Sequence, residues 1–160
     1  KQEKPLNTVA RVATSKPGLK IALVQSGDRL AEMEEQALFL ARKAFVADST
    51  GMAVEGDKVA QEAAVARIDI RSPGFTAWLE KVGGPSDRPV QTRCMAWAGE
   101  AALKAEVERL YAARIALVQA YLLQQHALTP EQITVRNATP ADKLAESGQP
   151  YFQLVFSAEE

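Results

Sequence analysis

Between residues 100 and about 125, apolar side chains return every three or four positions, the spacing of one face of an α-helix. Leu103, Val107, Leu110, Leu117, Val118 and Tyr121 cluster on that face, and Arg114 falls inside the cluster. A second stripe, Leu30, Met33, Ala37, Leu40, Ala41 and Ala44, predicts a helix over 28–47, with Asp28 as its N-cap and Asp48-Ser49-Thr50-Gly51 as its end. A shorter helix is expected over 75–82, between Pro73-Gly74 and the turn Gly83-Gly84-Pro85. Strand-like runs stand at 19–25, 90–97, 133–136 and 151–156, and Val65-Ala66-Arg67-Ile68-Asp69-Ile70-Arg71 alternates with period two. Residues 1–17 read as an extended arm or linker. Thr129-Pro130-Glu131-Gln132 has the spacing of a capping box and predicts one turn before the strand at 133. Thr139-Pro140-Ala141-Asp142 repeats the motif. The order of elements predicts an α/β fold, a mixed-sheet two-layer sandwich with helices packed on the sheet.

Arg114 is the chemical anomaly in this pattern. A guanidinium keeps its charge, and burying it without a partner costs several kcal/mol. It must meet a carboxylate, a group of carbonyls, a ligand, or water at the margin of the packed face.

Composition narrows the chemistry. The chain has 160 residues, enough for one domain with a tail, and a net charge of −1 that gives no basic face for nucleic acid. No apolar run approaches the roughly 18 residues of a membrane span. A start at Lys1 rather than Met fits a processed product or a fragment. The lone cysteine, Cys94, allows no internal disulfide or multi-thiolate metal site and reads as a buried strand residue. The lone histidine, His126, sits at a helix end, where it suits the dipole better than catalysis. These counts leave a non-enzymatic protein with no metal and no cofactor as the expectation. Trp78 and Trp97 are either core aromatics or partner-docking residues.

The segment from Leu110 to Arg136 resembles the C-terminal half of OmpA-like peptidoglycan-associating domains. The likeness rests on Leu110, Arg114, Val118 and Tyr121-Leu122, then Leu128-Thr129-Pro130-Glu131-Gln132-Ile133-Thr134-Val135, with a closing strand at 151–156. It implies an OmpA-like βαβαβ unit over 65–160, preceded by an arm at 1–18 and a strand–helix extension at 19–64. A second threading instead makes 19–47 the family's first strand and helix. A similar helix and strand also close large AsmA-type envelope proteins. In the OmpA-like family an arginine at the position of Arg114, with an aspartate at the end of the preceding strand, binds the peptidoglycan stem peptide. Gly99 stands near the aspartate's place, with Glu100 next to it as a displaced acidic partner.

The resemblance therefore implies a periplasmic, outer-membrane-associated domain. As a scaffold it would hold together subunits of a secretion or conjugation complex; as an anchor it would grip peptidoglycan through Arg114 and Glu100. Contact with a membrane would come only through a lipid anchor outside the chain.

Overall fold

The computed structural model describes residues 3–144 and 149–158, and of Glu3 and Ala158 the backbone alone. It is a mixed α/β chain with a small three-stranded mixed sheet. The elements run α1 (Glu3–Ser15), β1 (Leu19–Ser26), α2 (Arg29–Thr50), α3 (Lys58–Val65), α4 (Pro73–Gly83), α5 (Val90–Ala98), α6 (Glu100–Ala120), a π-helical turn (Tyr121–Gln125), β2 (Ile133–Asn137) and β3 (Tyr151–Ala158). Two compact units emerge. One, the sheet unit, holds the chain up to Asp28 and from Glu108 onward; the other, the helical unit, is Arg29–Val107. Residue 64, where an extension was expected to end, lies inside α3.

In the sheet unit the strand order is β2-β1-β3. β1 runs parallel to β2, Ile21 opposite Ile133, and antiparallel to β3, Ile21 opposite Phe156. Side chains alternate across a strand, so Ile21, Leu23 and Gln25 share one face with Ile133, Val135 and Asn137, and with Phe156, Leu154 and Phe152. Val9, Ala10 and Ala13 of α1 and Val118 and Leu122 from the end of the long helix pack on that face to form the core. The expected arm is thus a helix. Leu6, Val9, Ala10 and Ala13 follow helical spacing, Pro5 sits in the first turn where its missing N–H is harmless, and Pro17-Gly18 follow the end. Only thirteen residues long, α1 is marginal as a free helix and draws its stability from docking on β1.

Both cap-like motifs form. The Gln132 side chain accepts from Thr129 N–H at 3.2 Å, while Gln132 N–H donates back to the Thr129 carbonyl at 3.0 Å. Asp142 accepts from Thr139 N–H and Oγ1 at 2.7 and 2.8 Å and holds Arg136 through two bonds of 2.8 Å. Arg136 and Gln153, which donates to the Lys143 carbonyl at 2.9 Å, project from the sheet's other face, so this loop folds back over it. Those bonds hold the Asp142 carboxyl well below the usual carboxylate range, the Arg136 guanidinium being the largest cause.

The helical unit packs Ala37 and Ala41 of α2 against Phe75, Trp78 and Leu79 of α4, Cys94 and Met95 of α5, and Leu103 of α6. Phe45, Phe75 and Trp78 form a cluster of tilted and edge-on rings 5.4 to 5.9 Å apart. Two expected strands are absent here. The alternating stretch at 65–71 is the end of α3 followed by turns, with Ile68 N–H donating to the Val65 carbonyl and Ser72 N–H to the Asp69 carbonyl. Ile68 and Ile70 still pack on the core, so the alternation is real while the ladder is not. The stretch at 90–97 is α5: Val90, Cys94 and Met95 recur at helical spacing, and no strand lies beside it. Two of the four strands expected over 65–160 are therefore missing from the described residues, while those at 133–136 and 151–156 form. Residues 19–47 supply a strand and a helix, as both threadings have it.

Candidate functional site: a groove on the sheet unit

The long helix buries Leu103, Val107 and Val118 of the expected stripe, but Tyr111 and Leu122 are buried where Leu110 and Tyr121 were expected. Leu103, Val107, Tyr111, Val118 and Leu122 are buried, with Arg114 half-buried in line with them, whereas Leu117 is 73% exposed. The spacing of 4, 4, 3, 4 and 4 along that row follows 3.6 residues per turn. Leu110 and Leu117 mislead because they flank the face rather than fill it. On α2, Leu30 is likewise exposed and Ala37 and Ala41 carry the burial. The Arg114 guanidinium lies 5.3 Å from the Tyr111 ring centroid, a cation–π arrangement.

Arg114 also lines a groove of about 440 Å³ that lies wholly within the sheet unit. α1 supplies one wall through Pro5, Leu6 and Val9, and the long helix supplies Arg114 and Val118. Leu23 and Gln25 of β1 lie on its floor, and Pro150, Tyr151, Phe152 and Leu154 close it along β3. The volume falls in the range of small-ligand and side-chain pockets. Gln25 is 1% exposed, and neither its amide nitrogen nor its amide oxygen bonds to any described residue. Its register neighbour Asn137 has an unbonded, buried Oδ1. A buried amide without partners costs about 1–3 kcal/mol. The polar floor lies at the carboxyl ends of two parallel strands, where open α/β sheets commonly bind ligands. The groove is thus mainly apolar, with one cation on its wall and an amide beneath.

The other expected site residues are elsewhere. Glu100 opens the long helix as part of the helical unit, 14 residues before Arg114 in the chain, and is not among the residues that line the groove. Gly99 does not end a strand. Its φ of 87° joins α5 to α6, a backbone conformation that only glycine adopts without strain, so its lack of a side chain serves the junction. Trp78 is a core residue, with its ring buried and its Nε1–H donating to Asp48 Oδ2 at 2.7 Å. Trp97 packs edge-on against Trp78 at 5.5 Å and borders two clefts of the helical unit. Cys94 is buried, in a helix rather than a strand, and desolvation pushes its thiol up to about 11. His126 follows the π-helical turn with its ring 5.3 Å from that of Tyr121, whose hydroxyl donates to Asn7 of α1 at 2.8 Å.

Sequence reasoning missed Gln25 and the α1 wall. The Leu6, Val9, Ala10, Ala13 spacing held the signal for the wall; a glutamine closing a strand held none.

Comparisons of the chain with family models, with curated proteins and with solved structures find no match.

Proposed function

We propose that this chain is a non-enzymatic scaffold domain of a bacterial cell-envelope assembly of the secretion or conjugation kind, related to OmpA-like modules and working in the periplasm. On this reading the sheet unit is a reduced, two-layer version of that fold, in which the helix bearing Arg114 leads into β2 and a final strand returns beside β1. The observation that carries the reading is the make-up of the groove. Arg114 and Gln25 stand among apolar walls, and among the described residues none that lines the groove is a carboxylate. A stem-peptide amine would find no counter-charge among those described lining residues, whereas an apolar side chain with a neighbouring carbonyl or carboxylate would suit both parts. The partner is then another subunit of the assembly.

A photo-cross-linking residue in place of Leu6, installed in the producing cell, tests this. Discrete protein adducts that migrate with a large envelope complex, and that are lost on Arg114→Glu, are expected. Adducts absent at Leu6 while the protein runs as a free species would overturn the scaffold reading.

One observation favours the peptidoglycan anchor as a second reading. β1, the strand that leads toward this helix through the helical unit, is followed two residues on by Asp28, an acidic residue at a strand end. The anchor reading expects co-sedimentation with purified peptidoglycan that Arg114→Ala and Asp28→Asn each abolish. Wild-type protein left in the supernatant would remove it.

A further inference from the structure

The two edges of the sheet are built in opposite ways. β2 is five residues long, and its Arg136 is tied to Asp142 by two hydrogen bonds. A short strand carrying a charge is a guarded edge. β3 is eight residues long, Tyr-Phe-Gln-Leu-Val-Phe-Ser-Ala, with no charge and no proline. It pairs one-to-one with β1 from Leu19↔Ala158 to Ser26↔Tyr151, so no bulge twists it away. Among the described residues β1 is its one strand neighbour. Leu154, Val155 and Phe156 stand 41%, 37% and 55% exposed along it. Backbone groups on such an edge can accept a further strand.

We propose that the free edge of β3 pairs antiparallel with β3 of a second copy of this chain, with Leu154 on the two-fold axis. The sequence singles out this occupant. On the groove face, Phe152 and Phe156 stand symmetrically about Leu154, while Gln153 and Val155 of the other face differ. Antiparallel pairing about that residue sets Phe152 opposite the other copy's Phe156 and Leu154 opposite its own counterpart, all on the groove face. Gln153 meets the other copy's Val155 on the opposite face. No like charges are brought together, and the two grooves, each bordered by Phe152 and Leu154, share one extended apolar surface. The inference goes beyond the scaffold reading and stands without it.

Two measurements on the full chain test it. Sedimentation equilibrium should show a concentration-dependent dimer, weakened roughly tenfold or more by Phe156→Lys, which sets an ammonium against an aromatic ring. Circular dichroism checks that this variant keeps its fold. Mild oxidation provides the geometric test. Leu154→Cys should cross-link to itself, because directly opposed Cβ atoms are about 4.5–5.5 Å apart. Gln153→Cys or Val155→Cys alone should not cross-link, since the diagonal distance is roughly 7–8 Å, but a mixture of the two should. Cys94 is sealed in the helical core and leaves the wild type as a blank. A wild type that stays monomeric at every concentration overturns the proposal, as does equal cross-linking at all three positions. Capture of a different protein's strand with no self-association also overturns it.

Discussion

The helical unit and the sheet unit use their apolar residues differently. In the helical unit the large rings pack together: Phe75 and Trp78 are buried, Trp97 meets Trp78 edge-on, and the cysteine is buried in the same core. In the sheet unit, Leu154, Val155 and Phe156 reach solvent, a groove opens beside them, and a buried glutamine lies on its floor without a hydrogen-bond partner among the described residues. Apolar surface and unpaired polar groups left accessible cost stability, and natural folds retain them chiefly where something binds. The contrast fits the proposed division, with the first unit as the stable body and the second as the one that binds.

The largest test of that division is Phe75→Ala. Removing a fully buried ring should cost about 3–5 kcal/mol in denaturant titration. Labelling of Cys94 by a thiol reagent should speed up by two orders of magnitude or more, since each 1.4 kcal/mol is about tenfold. In the intact protein that thiol stays inert near neutral pH: burial sets its pKa at about 11, so reaction has to wait for opening. If Phe75→Ala left both stability and labelling unchanged, the helical unit would not be the stable body described.

Trp78→Phe is smaller. It keeps the ring packing but removes the donor to Asp48, and about 1 kcal/mol should be lost in the same titration. Asp48→Ala in the Trp78→Phe background should add little, because the bond is already gone.

On the sheet unit, Leu154→Ala should cost less than either, under about 1 kcal/mol, because the side chain is already partly solvated. It should nonetheless impair self-association measured by sedimentation. Large destabilisation with unchanged association would reverse the assignment of roles.

The smallest effect is confined to acid. Asp142 has a depressed pKa in the folded protein, so its contribution is complete above the ordinary carboxylate value of 3.8 and fades as pH falls through the lower folded value. Melting temperatures of wild type and Asp142→Asn should therefore differ by a constant amount from pH 7 to about 5 and converge below about pH 4. A gap that widened in acid would contradict the Arg136–Asp142 geometry.

How far the sequence revealed these features depended on the kind of signal each carried. The long helix, the strands at 19–25, 133–136 and 151–156, and the turn at 129–132 were legible, because long periodicity and cap chemistry are local properties. The stretches at 65–71 and 90–97 were misread as strands. Short apolar runs fit both periods, and only the lack of a partner strand decides between them. Arg114 could be found as a charge on an apolar face. Glu100 was paired with it by motif alone, and it does not line the groove that Arg114 borders.

By itself the sequence determined the helices over 28–47, 75–82 and 100–125 and the strands at 19–25, 133–136 and 151–156, where the helix carrying Arg114 ends, and that β3 bears no charge. Each of these follows from side chains acting on their own backbone or on residues a turn away. Tertiary structure alone decided that residues 3–15 fold as a helix, that β1 lies between β2 and β3, and that Arg114 and Gln25 border one groove. Those outcomes depend on apolar surface buried between segments more than a hundred residues apart in the chain, and local propensity is silent about which distant face will be there to receive it.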